Sequence, residues 1–127
     1  MGLAVVPFDC CGLSLQPFDN PVMTSQGDCF DIINIIPFLK KYKVNPVSGC
    51  PLKLADLVKL TFHSNSAGQY HDPISFKVFT EFTWIVAIRT SGNVYTWDTI
   101  EELNKKPKYW NDLINNHPFT AKDIITL

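Results

Sequence analysis

The sequence predicts an α+β protein built of two small ββα units in tandem. Three observations carry this reading: each half holds two runs of β-branched and aromatic residues around a glycine turn, a helical spacing follows each pair, and an internal repeat sets these elements in the same order twice. At an offset of 65, Gly27-Asp28-Cys29-Phe30 meets Gly92-Asn93-Val94-Tyr95, Asn34-Ile35 meets Thr99-Ile100, and Phe38 meets Leu103. At an offset of 67, Pro51 to Leu60 meets Pro118 to Leu127, with Pro, Asp and three apolar positions in register. A smaller echo at 61 sets Leu13-Ser14-Leu15 against Ile74-Ser75-Phe76. The polar, turn-forming stretch His63 to Gly68 then separates a first unit, 1–62, from a second, 63–127.

In the first half, Val22-Met23-Thr24 and Asp28-Cys29-Phe30 flank Ser25-Gln26-Gly27, a hairpin whose glycine supplies the positive φ of the turn. Ile35, Phe38, Leu39 and Tyr42 recur at helical spacing, with Asn34 as the expected N-cap and Pro37 in the first turn, where a missing N–H costs little. Lys40, Lys41 and Lys43 fall at the negative end of the helix dipole. The second half predicts strands over Ile74–Thr80, Trp84–Thr90 and Val94–Trp97, then a helix opened by the capping box Thr99-Ile100-Glu101-Glu102. Thr120 to Asp123 marks a short terminal helix.

Composition removes several function classes. The 127 residues are 46% apolar and 18% charged, and 11 basic against 12 acidic residues leave a net charge of -1, the balance of an ordinary folded protein. With Arg89 the one arginine, the chain lacks the basic surplus that phosphate neutralisation needs, so no direct nucleic-acid partner is expected. No run approaches a membrane span, and Met1 to Val6 carries neither a signal peptide nor, with Val6 where Ser or Thr is required, a myristoylation site. A soluble, non-secreted chain is the expectation.

Cys10, Cys11, Cys29 and Cys50 invite a zinc or disulfide reading. Zinc modules place ligands in pairs two to four residues apart, whereas Cys10 and Cys11 are adjacent, so no metal and no cofactor are expected and the thiols read as free. Catalytic residues are likewise not expected. His71-Asp72 lacks a nucleophile elbow, no glycine-rich phosphate loop occurs, and Asp9, Asp19 and Asp31 read as turn and cap residues. Leu13, Pro17, Phe18, Phe38, Pro46 and Val47 form an apolar set that is either core or a protein-binding patch.

Cys10-x-x-Leu13-Ser14, Asn20-Pro21-Val22, Gly27-x-x-Phe30-Asp31, the helix to Leu39 and Asn45-Pro46-Val47-x-x-x-Pro51-Leu52 resemble the U-box, a zinc-free relative of the RING finger, without a gap from Leu13 to Leu39. The resemblance implies a ubiquitin ligase module, a transferase that binds a ubiquitin-conjugating enzyme charged with ubiquitin and promotes transfer to a substrate lysine without a covalent intermediate. Its contact positions fall on Leu13, Phe38 and Pro46. Gly49 stands where many members carry a basic residue that fixes the charged conjugate. The second unit reads as a degenerate copy, with Ile74 in place of Leu13 and no second-loop proline around Leu113. The whole chain is similar to the N-terminal region of nuclear U-box proteins in which a cyclophilin-like prolyl isomerase domain follows. That likeness implies a fragment without isomerase activity, a nuclear location and spliceosomal partners, and, as the alternative function, a non-catalytic docking platform.

Overall fold

The computed structural model describes residues 8–127, so the reading of Met1, Gly2 and Val6 lies outside it. The chain divides into two compact units, Met1–Lys59 and Leu60–Leu127, three residues earlier than the expected boundary. The difference has a local cause: the stretch His63 to Gly68, expected as a polar separator, lies in a hairpin of β4 (His63–Ser64) and β5 (Tyr70–His71) that belongs to the second unit. Asn65 closes it, its side chain accepting the N–H groups of Ala67 and Gln69.

In the first unit, β1 (Pro21–Met23) pairs antiparallel with β2 (Cys29–Asp31), and β3 (Val58–Lys59) returns to the other side of β1. Helix α1 (Ile32–Tyr42) follows β2 directly. Its N-cap is Asp31, whose carboxylate accepts from Ile33 N at 3.2 Å and from Asp19 N at 2.9 Å, not Asn34 as expected. Pro37 therefore sits in the helix interior, where it removes one backbone hydrogen bond. Ile35 and Leu39 are the buried pair one turn apart, and Lys43 ends the helix in the left-handed region at φ 58°.

The second unit repeats the register. Here β6 (Ile85–Ile88) pairs with β7 (Val94–Thr96) on one side and β8 (Ile124–Thr126) on the other, so Val86 faces Tyr95 and Thr126 as Val22 faces Phe30 and Lys59. Helix α2 (Trp97–Ile100) is capped by Thr96, whose hydroxyl accepts from Thr99 N, and runs on into a π turn over Glu101–Lys105. The expected box opening at Thr99 is thus displaced, because Thr96 takes the cap three residues earlier. The expected strand Ile74–Thr80 is instead a loop, and the terminal helix is a single 3-10 turn, Ala121–Asp123. The core gathers Val86, Ile88, Tyr95, Ile100 and Phe119, with Trp110 edge-on to Phe119 at 5.7 Å.

Four loops of one design hold the sheets to the helices. Each starts at an anchor, Cys11, Asn45, Asp72 or Asp112, whose side chain accepts the N–H groups of the residues two and three further on. The anchor's own N–H reaches the carbonyl five residues on, its carbonyl accepts from the residue four on, and that fourth residue has a positive φ: Leu15, Gly49, Phe76 and Asn116. The seventh residue is buried in every case, as Phe18, Leu52, Phe79 and Phe119. Burying such a side chain contributes roughly 1.5 to 3 kcal/mol.

The loops are tied inward by polar pairs. In the first unit Asn45 Nδ2 donates to Asp28 Oδ2 at 3.0 Å; in the second the residue types are exchanged, and Asn93 Nδ2 donates to Asp112 at 3.2 Å. Asp112 also accepts the hydroxyls of Ser91 and Tyr95, both at 2.6 Å. Burial opposes ionisation of Asp112, but the donors from Ser91, Tyr95, Ile114 and Asn93 prevail and hold its carboxyl below the usual range. Asp72 behaves alike: burial works against it, and Ser75, Thr96, Ile74 and Thr99 outweigh that.

Two expectations follow. Asp112→Ala strands a buried Tyr95 hydroxyl and the Asn93 amide and lowers the melting free energy of the second unit by roughly 3 kcal/mol or more. Because both carboxyls are depressed in the fold, their contribution is complete above the unfolded carboxylate value near ~4 and is lost as pH falls through the lower folded values. All three tryptophans, Trp84, Trp97 and Trp110, lie in this unit, so an acid titration of tryptophan fluorescence reports it, and Asp112→Asn is expected to flatten that curve.

Candidate functional site

The first unit's two anchored loops, Cys11–Phe18 and Asn45–Leu52, hold two of the three residues singled out from the sequence. Leu13 is the second residue after the anchor Cys11 and is half-buried. Its N–H donates to Cys11 Sγ at 3.4 Å, and Ser14 N to the same sulfur at 3.5 Å. Pro46 is the first residue after Asn45, also half-buried, and the following N–H, Val47, reaches Asn45 Oδ1 at 2.8 Å. Phe38 lies on α1, half-buried, its ring 4.7 Å from Tyr42.

Both loops hang from neighbouring residues of one hairpin. Gly12 N donates to Cys29 O at 2.8 Å, and Asn45 Nδ2 reaches Asp28, so Leu13 and Pro46 are each one residue from an attachment to consecutive positions. A Cβ at Gly12 would stand 3.2 Å from Cys29 O and 3.3 Å from the Phe30 ring, which is why glycine occupies a position filled by Pro46, Pro73 and Leu113 in the other loops. Asn34 Nδ2 approaches Cys11 Sγ at 3.9 Å and ties α1 to the first loop; Phe38 is one turn further along that face.

The wider apolar set divides. Phe18 is core, whereas Pro17 and Val47 are exposed. Sequence reasoning missed Leu15 and Tyr42 as surface groups, at 58% and 53% exposure. Leu15 carries a φ of 61°, a conformation costing about 1 to 2 kcal/mol for a side-chain-bearing residue. The alignment of the loops holds the signal for it, since Gly49 stands at the same step.

The cysteines take separate structural parts. Burial disfavours the Cys11 thiolate, but N–H groups of Asp31, Ser14 and Leu13 hold its titration below the ordinary value. Burial, with the charges of Asp28 and Cys11, pushes Cys29 up to about 12. Among the described residues, no three His, Cys, Asp or Glu side chains are grouped as a metal would need, and no helix is long and apolar enough to cross a membrane. His71 and Asp72 do not form an acid–base pair: His71 Nδ1 meets the Asp72 carbonyl at 2.7 Å, and the carboxylate is spent on backbone N–H groups.

With this geometry in hand, the likeness to known proteins is extensive. Over 96% of its length the chain is 55% identical to a protein of Emericella nidulans named peptidyl-prolyl cis-trans isomerase-like 2. A protein of that name from Rhizopus delemar is 52% identical over 99% of the chain, and peptidyl-prolyl cis-trans isomerase CYP65 of Arabidopsis thaliana is 49% identical over 96%. The chain spans between 20% and 24% of these relatives. No family model matches it.

Since each loop is closed by its own anchor, chelator is expected to leave the thermal melt unchanged, and purified chain to carry no stoichiometric zinc by elemental analysis. A chelator-induced loss of the fold would show that the anchors are not what holds the loops.

Proposed function

We propose that the first unit is a U-box-type ubiquitin ligase module that receives a charged ubiquitin-conjugating enzyme on Leu13, Phe38 and Pro46. The observation that carries the reading is the pairing of two side-chain-closed loops on adjacent hairpin residues, each presenting a half-buried apolar group beside a helix that bears a third. Such a surface can grip a partner and align its thioester for attack by a substrate lysine. It adds no nucleophile of its own. The isomerase named for the relatives is then assigned to the part of those proteins that this chain does not span, and a nuclear location with spliceosomal partners comes with the same reading.

A docking platform without transfer is the second reading, and Gly49 favours it. Its φ is 74° and nothing lies within 4 Å of a Cβ built there, so a basic side chain has room but its backbone would be strained. A discharge assay with charged conjugating enzyme and free lysine separates the two. Leu13→Ala is expected to abolish discharge, at a loss on the order of 1 to 3 kcal/mol of binding, with a melt within a few degrees of the parent; a core role would instead cost roughly 2 to 5 kcal/mol of stability. Ile74→Ala should leave discharge unchanged. Gly49→Arg should accelerate it while lowering stability by about 1 to 2 kcal/mol. Absence of discharge in the parent and in Gly49→Arg alike would leave the docking platform as the function.

A further inference from the structure

The first unit segregates its charge. All five of its lysines lie from Lys40 onward, whereas four of its five aspartates lie before residue 32, where Asp28 and Asp31 are consumed by internal hydrogen bonds. The fifth, Asp56, accepts from Lys53 N at 3.0 Å. Where α1 ends, a groove of about 310 Å³ opens between the helix and the chain leaving the second loop. Its floor is Leu39, Leu52 and Leu54, the last 46% exposed, and Lys40, Lys43 and Lys53 rim it without a carboxylate.

The internal repeat supplies a control within the same molecule. In the second unit Lys105 and Lys108 stand where Lys40 and Lys43 do, Lys108 in the same left-handed conformation as Lys43, and Thr120 takes the place of Lys53. There Lys105 sits 5.1 Å over the Trp97 ring, and the neighbouring Lys106 pairs with Glu102 at 2.5 Å. Among the described residues neither Lys40, Lys43 nor Lys53 enters an ion pair. Helix-dipole compensation accounts for Lys40 and Lys43 as it does for Lys105 and Lys108, but not for Lys53, which lies beyond α1 on the rim of the same apolar floor.

We infer that this groove docks an acidic polypeptide segment of a partner protein, its carboxylates on Lys40, Lys43 and Lys53 and an apolar side chain on Leu54. Uncompensated positive charge selects the acidic partner, and the apolar floor selects a peptide over a bare polyanion. The surface is separate from the proposed conjugating-enzyme site, since Lys40 lies about 200° around α1 from Phe38.

The test is fluorescence anisotropy of a labelled peptide of alternating Glu and Leu against the full chain. Lys40→Glu with Lys53→Glu is expected to weaken binding at least tenfold, Lys105→Glu with Lys108→Glu to leave it within twofold, and a peptide with Ser for Leu to bind at least fivefold more weakly. Added salt should weaken the parent complex. Leu54→Ser, at an exposed position, reads the groove independently should the double lysine variant melt early, and should also lose affinity. Unchanged affinity in Leu54→Ser or in a folded double lysine variant overturns the inference. So does equal binding of a single-stranded oligonucleotide or of phosphatidylserine vesicles, either of which would make the groove a general anion surface.

Discussion

Everything in this molecule turns on one local interaction, a side-chain acceptor that collects two backbone N–H groups of its own loop. Each such hydrogen bond contributes about 0.5 to 1.5 kcal/mol net and fixes the turn of a largely exposed loop. Cys11, Asn45, Asp72 and Asp112 supply it four times over with three different side chains. The chemistry required is only that of an acceptor at the right height above the backbone. Thiol, amide and carboxylate all satisfy it, and the larger sulfur does so at longer range.

Carboxylate anchors serve only the second unit, and they bring a demand that the neutral anchors do not. An anion must be surrounded, and Ser91, Asn93 and Tyr95 converge on Asp112 for that reason. Asn45 needs no such escort and instead donates to Asp28. The exchange of Asp28 and Asn45 for Asn93 and Asp112 keeps one amide–carboxylate contact while moving the charge from hairpin to loop. Two units with the same sheet order and the same loop design thus differ in where their charge is stored.

Much of this was legible in the sequence. Repeat offsets found the hairpins, the helices and the closing segments, because strand pairing and helix burial impose apolar periods that survive in both halves. The caps were misread at Asn34 and Thr99 since Asp31 and Thr96 sit at the ends of strands, where pattern reasoning assigns them to the sheet. Ile74 to Thr80 looked like a strand for a related reason: a loop closed by Asp72 can display apolar residues at alternate positions without pairing them. Leu13, Phe38 and Pro46 come from the family resemblance and not from composition or spacing, and the exposure of Leu15 was hidden by a backbone conformation that composition does not reveal.

The closing strands bear on how the protein is made. Val22 waits for Lys59 and Val86 waits for Thr126, so each sheet is completed by the last residues of its own unit. The first can shut while the second is still being synthesised, and no intermediate needs a strand from the other half. The two ring closures span almost equal lengths of chain and differ little in entropy. Ring length therefore gives neither half an advantage in the rate at which it matures, and the donors that must be gathered around Asp112 at a loop anchor are a step that the neutral anchors of the first half do not have.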